Sequence, residues 1–132
     1  MEPRMCLSLH NPPKSYGDCV RACIATLTDD DEVPHVFGGD VKPEESWRQL
    51  REYLKTKNKF LLLVSVEDPF EQQEEDNHGI PFMLMCRTLR GDHAVICQSG
   101  EVVHHPDYYP AEIIGPSQGM DYWVIGVVGN LV

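Results

Sequence analysis

The chain has 132 residues, of which 42% are hydrophobic and 24% charged, and its formal net charge is −10. That length and balance fit one globular domain, residues 1–132, able to bury a core without metal or disulfide staples. So acidic a chain lacks the clustered lysines and arginines that neutralise phosphates, which excludes nucleic acid as a direct partner and leaves a cationic protein or a small molecule as the easier ligand.

The opening Met1-Glu2-Pro3-Arg4-Met5-Cys6 has no apolar stretch of a secretory signal, and no later run reaches membrane-spanning length. The five cysteines, odd in number and without close disulfide-style spacing, suit a reducing compartment, so the expected location is the cytoplasm, with no membrane partner. His10 to Gly17 carries paired prolines and a glycine and reads as a loop. A first helix is expected from Asp18 to about Leu27. Asp18 is its N-cap, with a carboxylate that can accept from the open amides of the first turn, and Val20, Cys23, Ile24 and Leu27 form its apolar face. The acid run Asp29-Asp30-Asp31-Glu32 before Val33-Pro34 ends it in a solvated turn, and His35 follows in a loop.

A second helix is expected from about Glu44 to Lys55, with Trp47, Leu50 and Leu54 as its stripe and Ser46 and Gln49 at capping-box spacing. Phe60 to Val66 reads as a buried strand, and the polar stretch Glu67 to Gly79 as a surface loop. Strands follow at Pro81 to Arg87, His93 to Gln98, Val102 to His105 and Tyr122 to Val128, the second and third joined by a tight turn at Gln98-Ser99-Gly100-Glu101. Met83 and Met85 belong to the core, Trp47 and Trp123 to the core or its rim, and Tyr108 and Tyr109 to an edge. Helices first and strands later imply an α+β domain, with the helices on one side of an antiparallel sheet.

Two residues point to chemistry. Cys19 sits directly after the cap, where helix amides and partial positive charge favour a thiolate. Cys23, one turn on, points inward and is structural. His93 opens a strand after Gly91-Asp92. Alternation groups it with Val95 and Cys97, so if those two face the helix, His93 can approach Cys19. A thiol on a helix and an imidazole on a distant strand are the parts of a cysteine nucleophile and its base. A third group is expected to orient the ring, and His105 and Asp107 are both in range, because Pro106 blurs the parity between them. A metal centre is a third possibility: Cys19 with Cys23, or His104 and His105 with Asp107, are ligand types. Adjacent histidines on a strand point to opposite faces, however, and neither spacing is that of a zinc site, so no metal and no cofactor are expected.

The order of these residues resembles the papain-like cysteine peptidases, in particular a small bacterial variety. It is most similar to a group of small phage and bacterial proteins whose pattern this chain matches at Gly17-Asp18-Cys19, Ala22-Cys23, Val33-Pro34, Trp47, His93-Ala94-Val95 and, with a histidine in place of the group's aspartate, Val103-His104-His105-Pro106. The likeness spans roughly residues 11 to 128. It implies a papain-like fold, Cys19 as nucleophile and His93 as general base. The family's aspartate position is occupied by His105, which leaves Asp107 as orienting group, a dyad, or lost catalysis as alternatives. No glutamine precedes Cys19, so backbone amides near Cys19 or the Asn11 side chain would have to serve the oxyanion. The expected function is hydrolysis of a peptide, isopeptide or amide bond in a protein or peptide substrate. The alternative is an inactive papain-like protein that captures a host protein or a signalling molecule.

Overall fold

The computed structural model of the chain describes residues 1–8, 17–71 and 79–131. Two helices, α1 (Cys19–Thr28) and α2 (Pro43–Thr56), precede six strands: β1 (Lys59–Val66), β2 (Phe82–Thr88), β3 (Gly91–Gln98), β4 (Glu101–His104), β5 (Ile113–Gly115) and β6 (Trp123–Asn130). All pairings are antiparallel, in the order β1-β6-β2-β3-β4, with β5 added to β2. The α+β class expected from the chain order is the class observed. β5 was not anticipated, since three residues are too few for alternation to register.

Both faces of the central strands are apolar. On the helix side, Val20, Cys23, Ile24 and Ala25 of α1 and Leu50 and Leu54 of α2 pack on Leu61, Met83, Ala94 and Ile96. On the other side, Phe82, Leu84, Cys86, Val95 and Cys97 are covered in part by Phe70, Ile113 and Trp123. Met83 is fully buried, as its place in an apolar run implies, and Met85 packs half-buried beside the helix-side core. Trp47 meets Phe37 edge-on with ring centroids 4.6 Å apart, and Trp123 meets Phe70 at 5.6 Å. Tyr108 and Tyr109 are exposed.

The expectation that Phe60 to Val66 is a buried strand is corrected. β1 is an edge, and only one of its faces is covered: Leu61 is 6% exposed, Leu62 54%. An unbroken apolar run hides which residues face the core, and only its pairing with the last strand, β6, exposes the outer edge.

The helices start within a residue of the expected places, but their capping differs from expectation. α2 begins at Pro43, whose fixed φ and missing N–H suit the first helical position. Ser46 therefore lies inside the helix, where its hydroxyl donates to the Val36 carbonyl (2.7 Å) rather than capping. In α1, Asp18 holds the N-cap position, and its carbonyl accepts from the Ala22 amide (2.9 Å), but its carboxylate makes no capping bond. It turns instead to the amides of Leu7 and Ser8 (both 2.9 Å) and to Nε of Arg21 (2.6 Å).

Those bonds belong to a strap formed by residues 1–8. Arg21 also donates to the Met5 carbonyl (2.9 Å), and the Arg4 amide donates to the Thr26 hydroxyl (2.8 Å). On the sheet side the Cys6 amide donates to the Pro106 carbonyl (2.8 Å), and Nε2 of His104 lies 2.6 Å from the Arg4 carbonyl. The strap thus lies between α1 and the end of β4, and it explains why Arg21 and Thr26 of α1 are buried beside its apolar residues. The acid run after α1 is not merely solvated: Asp29 and Asp31 pair with Arg4 at 2.8 and 2.9 Å, and Asp30 accepts from the Tyr53 hydroxyl at 2.6 Å. The loops expected at 10–17 and 67–79 fall largely on residues 9–16 and 72–78, outside the described residues.

Asp18 is 2% exposed and Arg21 8%. Removing one member of such a pair strands the other charge, at a cost of about 3–5 kcal/mol. Asp18→Ala is therefore expected to lower unfolding stability by about that much in urea titration. Burial pushes the Asp18 carboxyl up, but the amides of Ser8 and Leu7 and the Arg21 guanidinium outweigh it and hold the group below its ordinary 3.8. The stabilisation is thus complete above that pH and lost as pH falls through the lower folded value. In Asp18→Ala this acid limb should shrink; an unchanged limb would assign acid unfolding to other carboxylates.

Candidate active site

Cys19 is the first residue of α1, and His93 is the third of β3. Both line one cavity of about 210 Å³. The route by which they meet differs from the expected one. Val95 and Cys97 face away from α1, and it is Ala94 and Ile96 that pack against the helix. His93 reaches the cavity because it stands at the mouth of β3, next to Ala94, whose backbone favours the Cys19 anion.

The charge state is the reverse of what the helix terminus suggests. Burial pushes the Cys19 thiol up to about 11; the backbones of Ala94 and Val20 oppose the rise, and the Asp18 carboxylate adds to it. Desolvation penalises a thiolate more than one helix end rewards it. Cys23 is fully buried and raised well above the ordinary thiol range, as a structural thiol should be. His93 is pushed down to about 4, first by burial and then by His105, with Asp107 acting in the opposite direction. At neutral pH the pair is a thiol and a neutral imidazole.

The third group is His105. Its Nδ1 lies 3.2 Å from Nε2 of His93, and the rings are 4.5 Å apart at 32°. This contact leaves Nδ1 of His93 as the nitrogen available to the cavity. When His93 carries its proton on Nε2, that N–H donates to Nδ1 of His105, which then has its own proton on Nε2. Burial lowers the His105 pKa, while the Ala111 backbone and Asp107 work against it. Nε2 of His105 is itself buried and makes no hydrogen bond among the described residues, so the Ala111 backbone lies near without completing one. Asp107 lines the same cavity but does not hold the ring. Its carboxylate accepts from the Tyr109 amide (3.0 Å) and stands 3.6 Å from Arg90. Asn11 lies outside the described residues.

Cys6, Ser8, His35, Phe37 and Asp92 complete much of the cavity wall and were not singled out from the sequence as site residues. Asp92 left a trace as the neighbour of His93, and His35 only as a loop histidine. Cys6 and Ser8 arrive on the strap, whose course depends on Asp18 and Arg21. Burial, with the nearby Asp18 and Cys19, lifts the Cys6 thiol to about 12. Among the described residues no group of three or more His, Cys, Asp or Glu could hold a metal ion, and no helix is long and apolar enough to cross a membrane. His104 and His105 diverge, one to the Arg4 carbonyl and the other to His93. No family model, curated protein or solved structure matches the chain.

Alkylation reads the thiol directly. The rate of Cys19 carboxamidomethylation, followed by mass spectrometry, should be slow at pH 7 and climb through pH 9 to 11 as the thiolate forms. A fast, pH-independent reaction at pH 6 to 8 would show a preformed thiolate instead.

Proposed function

We propose that the chain is a cysteine hydrolase of papain-like type, acting on a peptide, isopeptide or side-chain amide bond. The observation that carries it is the shared cavity: a thiol at a helix amino end and an imidazole at a strand mouth, the ring tethered on its far side by His105. The chemistry starts from two neutral groups. As the Cys19 sulfur attacks the substrate carbonyl carbon, its proton passes to Nδ1 of His93. Backbone amides at the start of α1 would serve the developing oxyanion. The tetrahedral adduct collapses, the C–N bond breaks and His93 returns the proton to the leaving amine. Water, deprotonated by His93, then cleaves the thioester and restores the thiol. His105, holding Nε2–H of His93, keeps the tautomer that this sequence requires. Such an enzyme works in a reducing cytoplasm, that of the host cell if a phage encodes it.

A second function is favoured by one specific observation. A buried thiol near 11 beside an imidazole near 4, with a histidine where a carboxylate would stabilise imidazolium, suits a cavity that binds without turnover. The chain would then capture a host protein or a small signalling molecule.

Hydrolysis of a diverse peptide library, followed by mass spectrometry, decides between them. The wild type should cleave a subset. Cys19→Ala should abolish cleavage while the circular dichroism spectrum stays unchanged, and His93→Ala should reduce it by about 10²–10⁴-fold. Because the base must be neutral and His93 protonates only near 4, the acid limb of kcat/KM should fall near pH 4 rather than at the ordinary 6.5. A library left intact by the wild type, with peptides still bound, would establish the capture function.

A further inference from the structure

The cavity wall has a composition that the reaction does not require. Its volume of about 210 Å³ is below the roughly 300–1,000 Å³ of sites that enclose a whole small ligand, so it takes one side chain or group. Among its lining residues Val20 is buried, and Phe37 and Met85 are half-buried. Asp92 stands exposed at its mouth. The described lining residues include two aspartates and no lysine or arginine, on a chain whose net charge is −10. The two carboxylates are not equivalent. Asp107 is shared with Arg90 at 3.6 Å and with the Tyr109 amide. Asp92 accepts from the Gln118 amide through Oδ1 (2.8 Å), while its Oδ2 makes no hydrogen bond or ion pair among the described residues.

We infer that this cavity selects a lysine- or arginine-type side chain, with Asp92 as the specificity-determining residue at its mouth. A long methylene stem lies along Val20, Phe37 and Met85, and the cationic head stays at the wet rim beside Asp92. Lysine and arginine side chains divide in this way between apolar and aqueous surroundings. An anionic group would meet the two carboxylates that line the cavity, and the nearby Arg90 already stands 3.6 Å from one of them, Asp107, so acidic side chains and free terminal carboxylates are disfavoured. The inference deepens the hydrolase proposal by naming its substrate class, yet it concerns binding and holds equally for a capture protein.

Binding is measured on the full chain carrying Cys19→Ala, by titration calorimetry or by NMR shifts of cavity residues, with three blocked amino acids: N-acetyl-lysine methylamide, its isosteric norleucine counterpart and N-acetyl-glutamate methylamide. The lysine probe should bind roughly three- to fivefold tighter than norleucine at low salt, the scale of one exposed charge pair. The difference should fade at high salt. Glutamate should bind more weakly than either. Adding Asp92→Asn should erase the lysine advantage and leave norleucine affinity unchanged. Equal affinities for lysine and norleucine, a lysine advantage that survives Asp92→Asn, or no binding by any probe would each overturn the inference. A lysine preference in a protein that cleaves nothing would sink the hydrolase proposal alone, and cleavage without cationic preference would sink this one alone.

Discussion

A carboxylate and a guanidinium 2.6 Å apart, nearly sealed from water at the start of α1, organise the working end of the molecule. Neither charge could be buried there alone, because each would forfeit its hydration without return. Together they also satisfy backbone groups of another segment: Asp18 takes the amides of Leu7 and Ser8, and Arg21 takes the carbonyl of Met5. The strap they hold brings Cys6 and Ser8 to the cavity, and its amide at Cys6 reaches the Pro106 carbonyl immediately after His105. One ion pair therefore links the helix that carries the thiol to the strand end that carries the second histidine.

Burial also sets the charge state of the groups at this end. Cys19 stands where helix amides would ordinarily acidify a thiol, and yet its pKa rises, since removal from water and a neighbouring carboxylate outweigh the amides. His93 moves the opposite way for the same first reason, and His105 pushes it further because two adjacent rings resist sharing a positive charge. A carboxylate in place of His105 would stabilise imidazolium and draw the pair towards its ionic form. With a histidine there, the resting thiol and imidazole are uncharged and the tautomer is set by hydrogen bonding alone. In the hydrolase we propose, an uncharged nucleophile and base act if proton transfer accompanies attack, so turnover would depend on how well a substrate fills the cavity.

The sheet frames this site asymmetrically. The helices cover one face over Leu61, Met83, Ala94 and Ile96, and the second face is covered by loop residues and by β5. β3, at the junction of both layers, carries His93 at its open end, where the alternation that buries Val95 and Cys97 no longer dictates which layer a side chain joins. That position lets one ring touch the Cys19 cavity on one side and His105 on the other.

Much of this was legible in the residues. The helical recurrence of Val20, Cys23 and Ile24, the stripe of Leu50 and Leu54, and the β-branched runs of the later strands are local patterns, and local patterns fix element type and order. Cys19 and His93 stood out because each sits at the end of an element, beside a turn residue. What the sequence could not hold was anything set by contacts between distant segments: the role of Asp18, which prefers strap amides to its own helix; the exposure of one face of β1, fixed by pairing with a strand some sixty residues later; the choice of His105 over Asp107 at the ring; and the pKa values of the thiol and imidazole. Propensity and periodicity act over a few residues, whereas desolvation and ion pairing depend on everything packed within a few ångströms, and only the folded chain determines what that is.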